Sequence, residues 1–184
     1  MPDYCDYAPD DPVHQSYHAT EYGFPTIDES VLMERLALEI FQAGLSWGIV
    51  LKKRAATFDA FDGFDIDKVV AYGDTDVARL LDDAGIIRNR LKVHAIIHNA
   101  NVIKGMRDSH GGFANWIAAH HPMAKPDWVK LFKKTFKFTG GEITGEFLMS
   151  IGYLPGTHRP DCPVYVKLSK LSPPWTQVDS TIYD

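Results

Sequence analysis

The sequence predicts an all-α fold in a single domain, on three observations. Apolar residues recur at three- and four-residue intervals through most of the chain, the period of a helix face. Asp, Ser and Thr precede these stretches and glycines close them, as helix caps do. No segment shows the apolar–polar alternation of a half-buried strand. The length of 184 residues is enough for one domain with a sizeable core, so residues 1–184 are expected to form one unit.

The elements follow in order. Residues 1–28 are interrupted by Pro2, Pro9, Pro12, Gly23 and Pro25, so they are expected to be irregular, with a short helix around Pro12 to Tyr17. Asp28 is placed as the N-cap of a helix from Glu29 to about Ala43, closed by Gly44. A second helix begins near Ser46 and runs to about Phe58. Asp65 caps a short helix ending at Gly73, and Thr75 caps another ending at Gly85. Residues 86–106 read as one longer helix. Gly111-Gly112 breaks the chain before a helix from Phe113 to His120. Asp127 caps a helix from Trp128 to about Thr135. The turn Phe138-Thr139-Gly140-Gly141 leads into a helix from Glu142 to Tyr153. Pro155, Pro160, Pro163, Pro173 and Pro174 argue against a long regular element in residues 154–184, which should lie over the body.

Composition is ordinary for a globular chain, with 45% hydrophobic and 23% charged residues. No apolar run is long enough to span a membrane. The start, Met1 to Cys5, has neither a basic nor an apolar stretch, so no secretory leader is expected and a cytoplasmic location is. The net charge of −5 excludes a protein that coats nucleic acid non-specifically. Charge is uneven, however. Residues 1–34 hold no Lys or Arg. Basic groups then cluster at Lys52-Lys53-Arg54, at Arg88, Arg90 and Lys92, and at Lys130, Lys133, Lys134 and Lys137. These patches permit local phosphate contact, although solvated helix faces carry lysine as well. No apolar surplus demands a partner, and a monomer is expected.

Four constellations carry chemistry. The two cysteines lie near opposite ends, each with a histidine nearby: Cys5-x12-His18 and His158-x3-Cys162. Four such ligands would fill a tetrahedral zinc and leave no open position, which makes a structural site. Free thiols with surface imidazoles are the other reading of that spacing. Glu39 falls on the arc of Leu32, Met33, Leu36, Ile40 and Ala43, the side of its helix that should face the core. A carboxylate there is either paired with a neighbouring helix or part of a pocket. Tyr7, Tyr17, Tyr22 and Trp47 supply aromatic faces near that helix, either as core filler or as walls for a flat cationic ring. Finally, residues 127–153 read as helix, glycine hairpin, helix. Gly140 and Gly141 at a helix N-terminus, with Lys134 and Lys137 alongside, have the form of a DNA-backbone clamp.

Several strings are uncommon: Tyr17-His18-x-x-Glu21-Tyr22-Gly23; Glu39-x-x-Gln42-Ala43-Gly44-Leu45-Ser46-Trp47; Asp83-Ala84-Gly85-Ile86-Ile87-Arg88-x-Arg90; and Phe136-Lys137-Phe138-x-Gly140. With the closing His158-x3-Cys162, they make the chain resemble the 3-methyladenine DNA glycosylase I family from Cys5 to Cys162. The resemblance implies an all-helical member of the helix-hairpin-helix glycosylase superfamily, acting on double-stranded DNA that contains alkylated bases. It implies one zinc ion at Cys5, His18, His158 and Cys162, tying the two ends together. It implies that Glu39 is the catalytic carboxylate, bonding the edge of a flipped-out methylated adenine. Trp47 would stack on that base, with Tyr17, Tyr7 and His14 around it. Leu45, beside Gly44, would wedge into the gap left in the duplex, and Lys137, Gly140 and Gly141 would meet the backbone.

N3 methylation makes adenine cationic and weakens its bond to the sugar, so the base departs neutral and a strong general acid is less necessary. No Asp lies between Gly141 and Gly152, where other members of the superfamily carry one. The run Gly141 to Ser150 departs from the family's usual pattern, with Met149 where a Gln is common. A protein of this fold that binds damaged DNA without cutting, or with altered specificity, is the alternative reading. A zinc hydrolase or deaminase would need an open metal position, which four protein ligands argue against.

Overall fold

The computed structural model describes residues 3–183, which form α-helices and 3-10 turns with no strand among them. The N-terminal segment is more helical than expected. Helix α1 covers Tyr4–Tyr7 and α2 covers Gln15–Thr20. The second therefore starts after Pro12 rather than on it. Asp3 caps α1 by accepting from Cys5 N, and Asp6 accepts from Asp3 N in return.

Helix α3, Glu29–Gln42, is the centre of the molecule. Asp28 accepts from Val31 N at 3.1 Å, the cap that was expected. Every residue from Leu32 to Phe41 is buried, because α4 (Trp47–Ala60), α7 (Arg90–His110), α8 (Phe113–His120) and α10 (Gly141–Ser150) all pack on it. Burial is thus not confined to one face. Glu34 and Arg35 are buried along with Glu39, whereas Ala43, placed on the core-facing arc by sequence, is exposed beyond the helix end.

Three expected boundaries move for local reasons. Helix α5, Ile66–Val70, is capped by Asp65 as expected. Helix α6, Asp74–Asp82, starts one residue before Thr75, because Asp76 accepts from Gly73 N and fixes the turn there. It stops at Asp82 rather than at Gly85. Asp83 Oδ1 then takes Gly85 N at 2.7 Å and holds a turn, so α7 begins at Arg90, not Ile86, with Asn89 accepting from Lys92 N. Helix α7 runs on through Gly105 to Gly111, whose φ of 78° ends it.

Helix α9, Lys125–Thr135, opens with Pro126 in its first turn, and Asp127 lies inside the helix rather than capping it. Helix α10 ends at Ser150 because Gly152 turns back with φ 78°. Phe113, Phe136 and Phe147 pack ring on ring, with centroids 5.5 and 5.8 Å apart, and join the α9–α10 unit to the body. In the tail, α11, Pro163–Ser169, has its proline at the first helical position, where a missing N–H is harmless. No helix of the described residues is long and apolar enough to cross a membrane.

Candidate active site and metal centre

Glu39 is 4% exposed, and none of its oxygens takes part in a salt bridge or hydrogen bond among the described residues. It faces a cavity of about 180 Å³ instead of solid packing. Tyr17, Trp47 and Tyr7 line that cavity with it, as do Tyr22, Tyr4 and Gln42. Burial, and then the Glu146 carboxylate nearby, hold the Glu39 carboxyl well above its ordinary range, while Arg35 one turn below pulls the other way. Arg35 makes no salt bridge to it. Its guanidinium bonds Glu21 at 2.9 Å and stacks on Tyr17 at 5.1 Å. Glu21 and Glu34 are in turn held by Arg54 at 2.8 Å each, so Arg54 is no part of a basic surface patch.

The aromatic walls come from three elements. Trp47 begins α4, and its ring meets Tyr17 edge-on at 5.2 Å. Tyr17 is wholly buried with a hydroxyl that has no partner, and it stacks on Tyr22 at 5.6 Å. Tyr7, 41% exposed, stands at the mouth. His14 does not line the cavity. It is buried behind Tyr4 and Tyr7, with Nδ1 3.3 Å from the Tyr4 hydroxyl and its ring 5.5 Å from that of Tyr7. It packs against two rings of the wall from behind, one layer away from the position beside the base that the resemblance implied.

Three lining residues escaped the sequence reading. Gln42 lies one turn beyond Glu39 on the same face, which helical spacing could have flagged. Tyr4 adjoins Cys5 as Tyr17 adjoins His18, so the same reasoning would have found it. Glu146 had no local signal, because only the packing of α10 on α3 brings it there. The Tyr22 hydroxyl donates to Glu146 Oε2 at 3.0 Å.

A wider cleft of about 500 Å³ continues from this cavity. Gly44 and Leu45 form one bank, Gly140 and Gly141 the other, with Glu39 and Glu146 at its inner end. Leu45 is 40% exposed. A Cβ on Gly44, Gly140 or Gly141 would meet nothing within 4 Å, so all three present open backbone. The bank at Gly44 is fixed by Lys92. Its ammonium is buried and donates to the carbonyls of Phe41 at 2.9 Å and Ala43 at 2.6 Å, satisfying the end of α3. The same ammonium lies 5.8 Å from the ring of Phe138, in the turn before Gly140. Asn99 clamps the hairpin, accepting from Lys137 N at 2.8 Å and donating to Lys137 O at 3.0 Å. The Lys137 side chain is exposed and lies outside the cleft lining.

The ends of the chain meet at a second centre. Ligand atoms of Cys5, His18, His158 and Cys162 all lie within 4.8 Å of one another. The His158 Nδ1 is 3.7 Å from both sulfurs, and His18 Nε2 is 3.8 Å from Cys162 Sγ. Both cysteines are free thiols. The far nitrogen of His158 bonds the Tyr22 carbonyl at 2.8 Å, which turns Nδ1 towards the sulfurs. Burial lowers both imidazole pKa values, favouring the neutral ligand form. Burial, with Cys162 beside it, pushes the Cys5 thiol up to about 11. This set could hold a metal ion. It also carries Tyr22, and through Tyr4 and Tyr17 the rest of the wall, since each of these sits within a residue or few of a ligand.

The family model described as methyladenine glycosylase matches residues 7–129. The chain is 37% identical over 180 residues to DNA-3-methyladenine glycosylase 1 of Escherichia coli (strain K12), covering 88% of this chain and 96% of that protein. A crystal structure of 3-methyladenine DNA glycosylase I superposes with a TM-score of 0.78 at 34% identity, covering 86% of this chain and 97% of that one. A variant of such an enzyme in complex with 3-methyladenine superposes at 0.79 with 28% identity, covering 89% and 97%. By sequence and by fold, the chain belongs to the methyladenine glycosylase family.

Proposed function

We propose that this protein removes 3-methyladenine from DNA by hydrolysing the bond between the base and deoxyribose. One observation carries the reading: Glu39 is a buried carboxylate with no partner in a cavity walled by aromatic rings. Burying an unpaired charge costs several kcal/mol, roughly 2–7 even for a neutral polar group. Such a group persists where a ligand supplies what the protein withholds. A flat cation with N–H donors supplies both charge and hydrogen bonds, and the rings favour it further by about 0.5–2 kcal/mol per contact.

The work divides among named residues. Trp47 stacks on the extruded base, Tyr17 lies against its edge, and Tyr7 closes the mouth. Glu39 accepts from the exocyclic amine, and the positive ring favours its ionised form. Tyr17, whose hydroxyl lacks a partner, donates to or accepts from the ring edge. Water attacks the sugar carbon and gives up a proton to solvent, while the electrons of the breaking glycosidic bond neutralise the departing purine. Leu45 fills the gap in the duplex. Gly140 and Gly141 have ordinary φ values and free space around them, so the fold itself does not require glycine there. Close approach of a phosphate to the N-terminus of α10 does. Lys134 and Lys137 add local charge.

Cys5, His18, His158 and Cys162 would hold one structural zinc. An S–N edge of about 3.6 Å follows from Zn–S near 2.3 Å and Zn–N near 2.0 Å, close to the separations above. Residues 1–184 act as a single glycosylase domain and a monomer, in a reducing cytoplasm that keeps the thiols free.

The test is base release from methylated duplex DNA, with products separated by chromatography. The wild type should liberate 3-methyladenine. Trp47→Ala should lower kcat/KM by roughly 5- to 150-fold, the equivalent of 1–3 kcal/mol of base stacking. Zinc-loaded wild type that liberates no methylated base above background ends this reading.

A further inference from the structure

The cavity contains a second carboxylate that the proposed chemistry does not use. Glu146, on α10, lines both the base cavity and the inner end of the cleft. It is partly buried, and its only hydrogen bond from a side chain among the described residues comes from Tyr22, at Oε2. That leaves Oε1 without a side-chain donor. No Lys or Arg side chain lines the cavity beside Glu39 and Glu146. Lys125 is the cation that acts on Glu146; its ammonium and the end of its stem pack over Gly145, the residue before Glu146, but it makes no salt bridge to Glu146 among the described residues. Glu142, one turn earlier on α10, adds a further negative charge. Burial raises the Glu146 carboxyl above its usual range, as it does that of Glu39, and each gains from a positive ligand in the space between them.

Resting on the glycosylase reading above, we propose that Glu146 is a specificity-determining residue, which with Glu39 forms an acceptor pair that selects a purine cation over a neutral purine. One carboxylate can read one edge of the ring. Two on the same small cavity, from α3 and from α10, make a pocket whose electrostatic need is met only by a ligand that is positive and carries donors. Neutral bases with the same outline would bring donors but no charge to offset the two carboxyl groups. The chemical class selected is the N-alkylated, positively charged purine.

The alternative role for Glu146, as a mere anchor for the Tyr22 ring, makes different predictions. In Glu146→Gln the amide oxygen still accepts from Tyr22 and only the charge is lost. In Tyr22→Phe the charge stays and the bond is lost. The measurement is calorimetric binding of two non-cleavable probes, 3,9-dimethyladeninium, a fixed cation, and 9-methyladenine, its neutral counterpart. The wild type should prefer the cation. Glu146→Gln should lose on the order of tenfold of that preference, the size of one charge-assisted hydrogen bond, while the neutral probe is bound about as before. Tyr22→Phe should keep the preference. Should Glu146→Gln melt abnormally, Glu146→Ser serves for the same comparison. An unchanged preference in the charge-free variant, equal weakening of both probes, or a wild type that does not distinguish them overturns the proposal. Base release by the wild type is scored separately: its absence sinks the glycosylase reading and leaves the probe preference to stand or fall on its own.

Discussion

Replacing Glu39 by Gln should make the protein more stable at neutral pH while disabling it. In the folded protein the Glu39 carboxyl is held well above its ordinary value of 4.5, by burial first and by Glu146 second. In the unfolded chain it titrates near that ordinary value. Between the two, the folded state binds more protons than the unfolded state, so stability falls as pH rises through this window. Each unit of the upward shift is worth about 1.4 kcal/mol. For a chain of this size that is about 3–6 °C in Tm. Glutamine has nearly the shape of the protonated acid and does not titrate. At pH near 4.5 the two proteins should therefore melt together, and by pH 8 the variant should melt higher, with a gap that widens as pH rises. Every other titrating group is present in both proteins, so the difference in slope reports Glu39. Thermal denaturation followed by circular dichroism at pH 4.5, 6, 7 and 8 makes the measurement. The same variant should lose roughly 10- to 150-fold in base release, since a hydrogen bond to a charged group contributes about 1.5–3 kcal/mol. A gap in Tm that stays constant with pH, or a variant that melts lower at pH 8, would refute the claim that Glu39 is an unpaired buried acid.

Two further outcomes follow from the supports of the site. Chelation of the metal at Cys5, His18, His158 and Cys162 should lower Tm by about 5–15 °C, from about 2.7–4.1 kcal/mol of linkage at 100–1,000 times Kd; metal analysis should return one zinc per chain, and no change in Tm on chelation would deny a structural role. Lys92→Met should lower stability by about 1–3 kcal/mol, because the carbonyls of Phe41 and Ala43 lose their donor. It should weaken duplex binding more than binding of 3,9-dimethyladeninium, since Gly44 and Leu45 lie on the cleft and not in the base cavity; equal loss for both ligands in fluorescence titrations would contradict that division.

Much of this protein was readable from local pattern. Asp28 and Asp65 cap where short-range hydrogen bonding says they should. Glu39 is indeed buried, yet for a reason the helical wheel did not contain. Helix α3 is surrounded, so Glu34 and Arg35 are buried as well, and what sets Glu39 apart is that Arg54 and Glu21 satisfy those two while nothing satisfies it. The errors at Thr75, Ile86 and Asp127 are of one kind. In each case a competing turn, Asp76 on Gly73, Asp83 on Gly85 or Pro126 in a first turn, set the boundary nearby; Thr75 and Asp127 were residues able to cap, whereas Ile86 was only the first apolar residue of the periodic stretch.

The Cys and His set and the roles of Glu39 and Trp47 came from the family resemblance. Helices and caps are properties of residue type and spacing, and hydrogen bonds and side-chain periods within a few residues are enough to specify them. Which groups share one cavity is not. Glu146 reaches Glu39 only because α10 lies on α3, Lys92 holds the carbonyls of Ala43 and Phe41 across 49 and 51 residues of chain, and His14 packs behind Tyr4 rather than in the cavity. Charge pairing and burial depend on distances in space, and those exist only after the helices have packed.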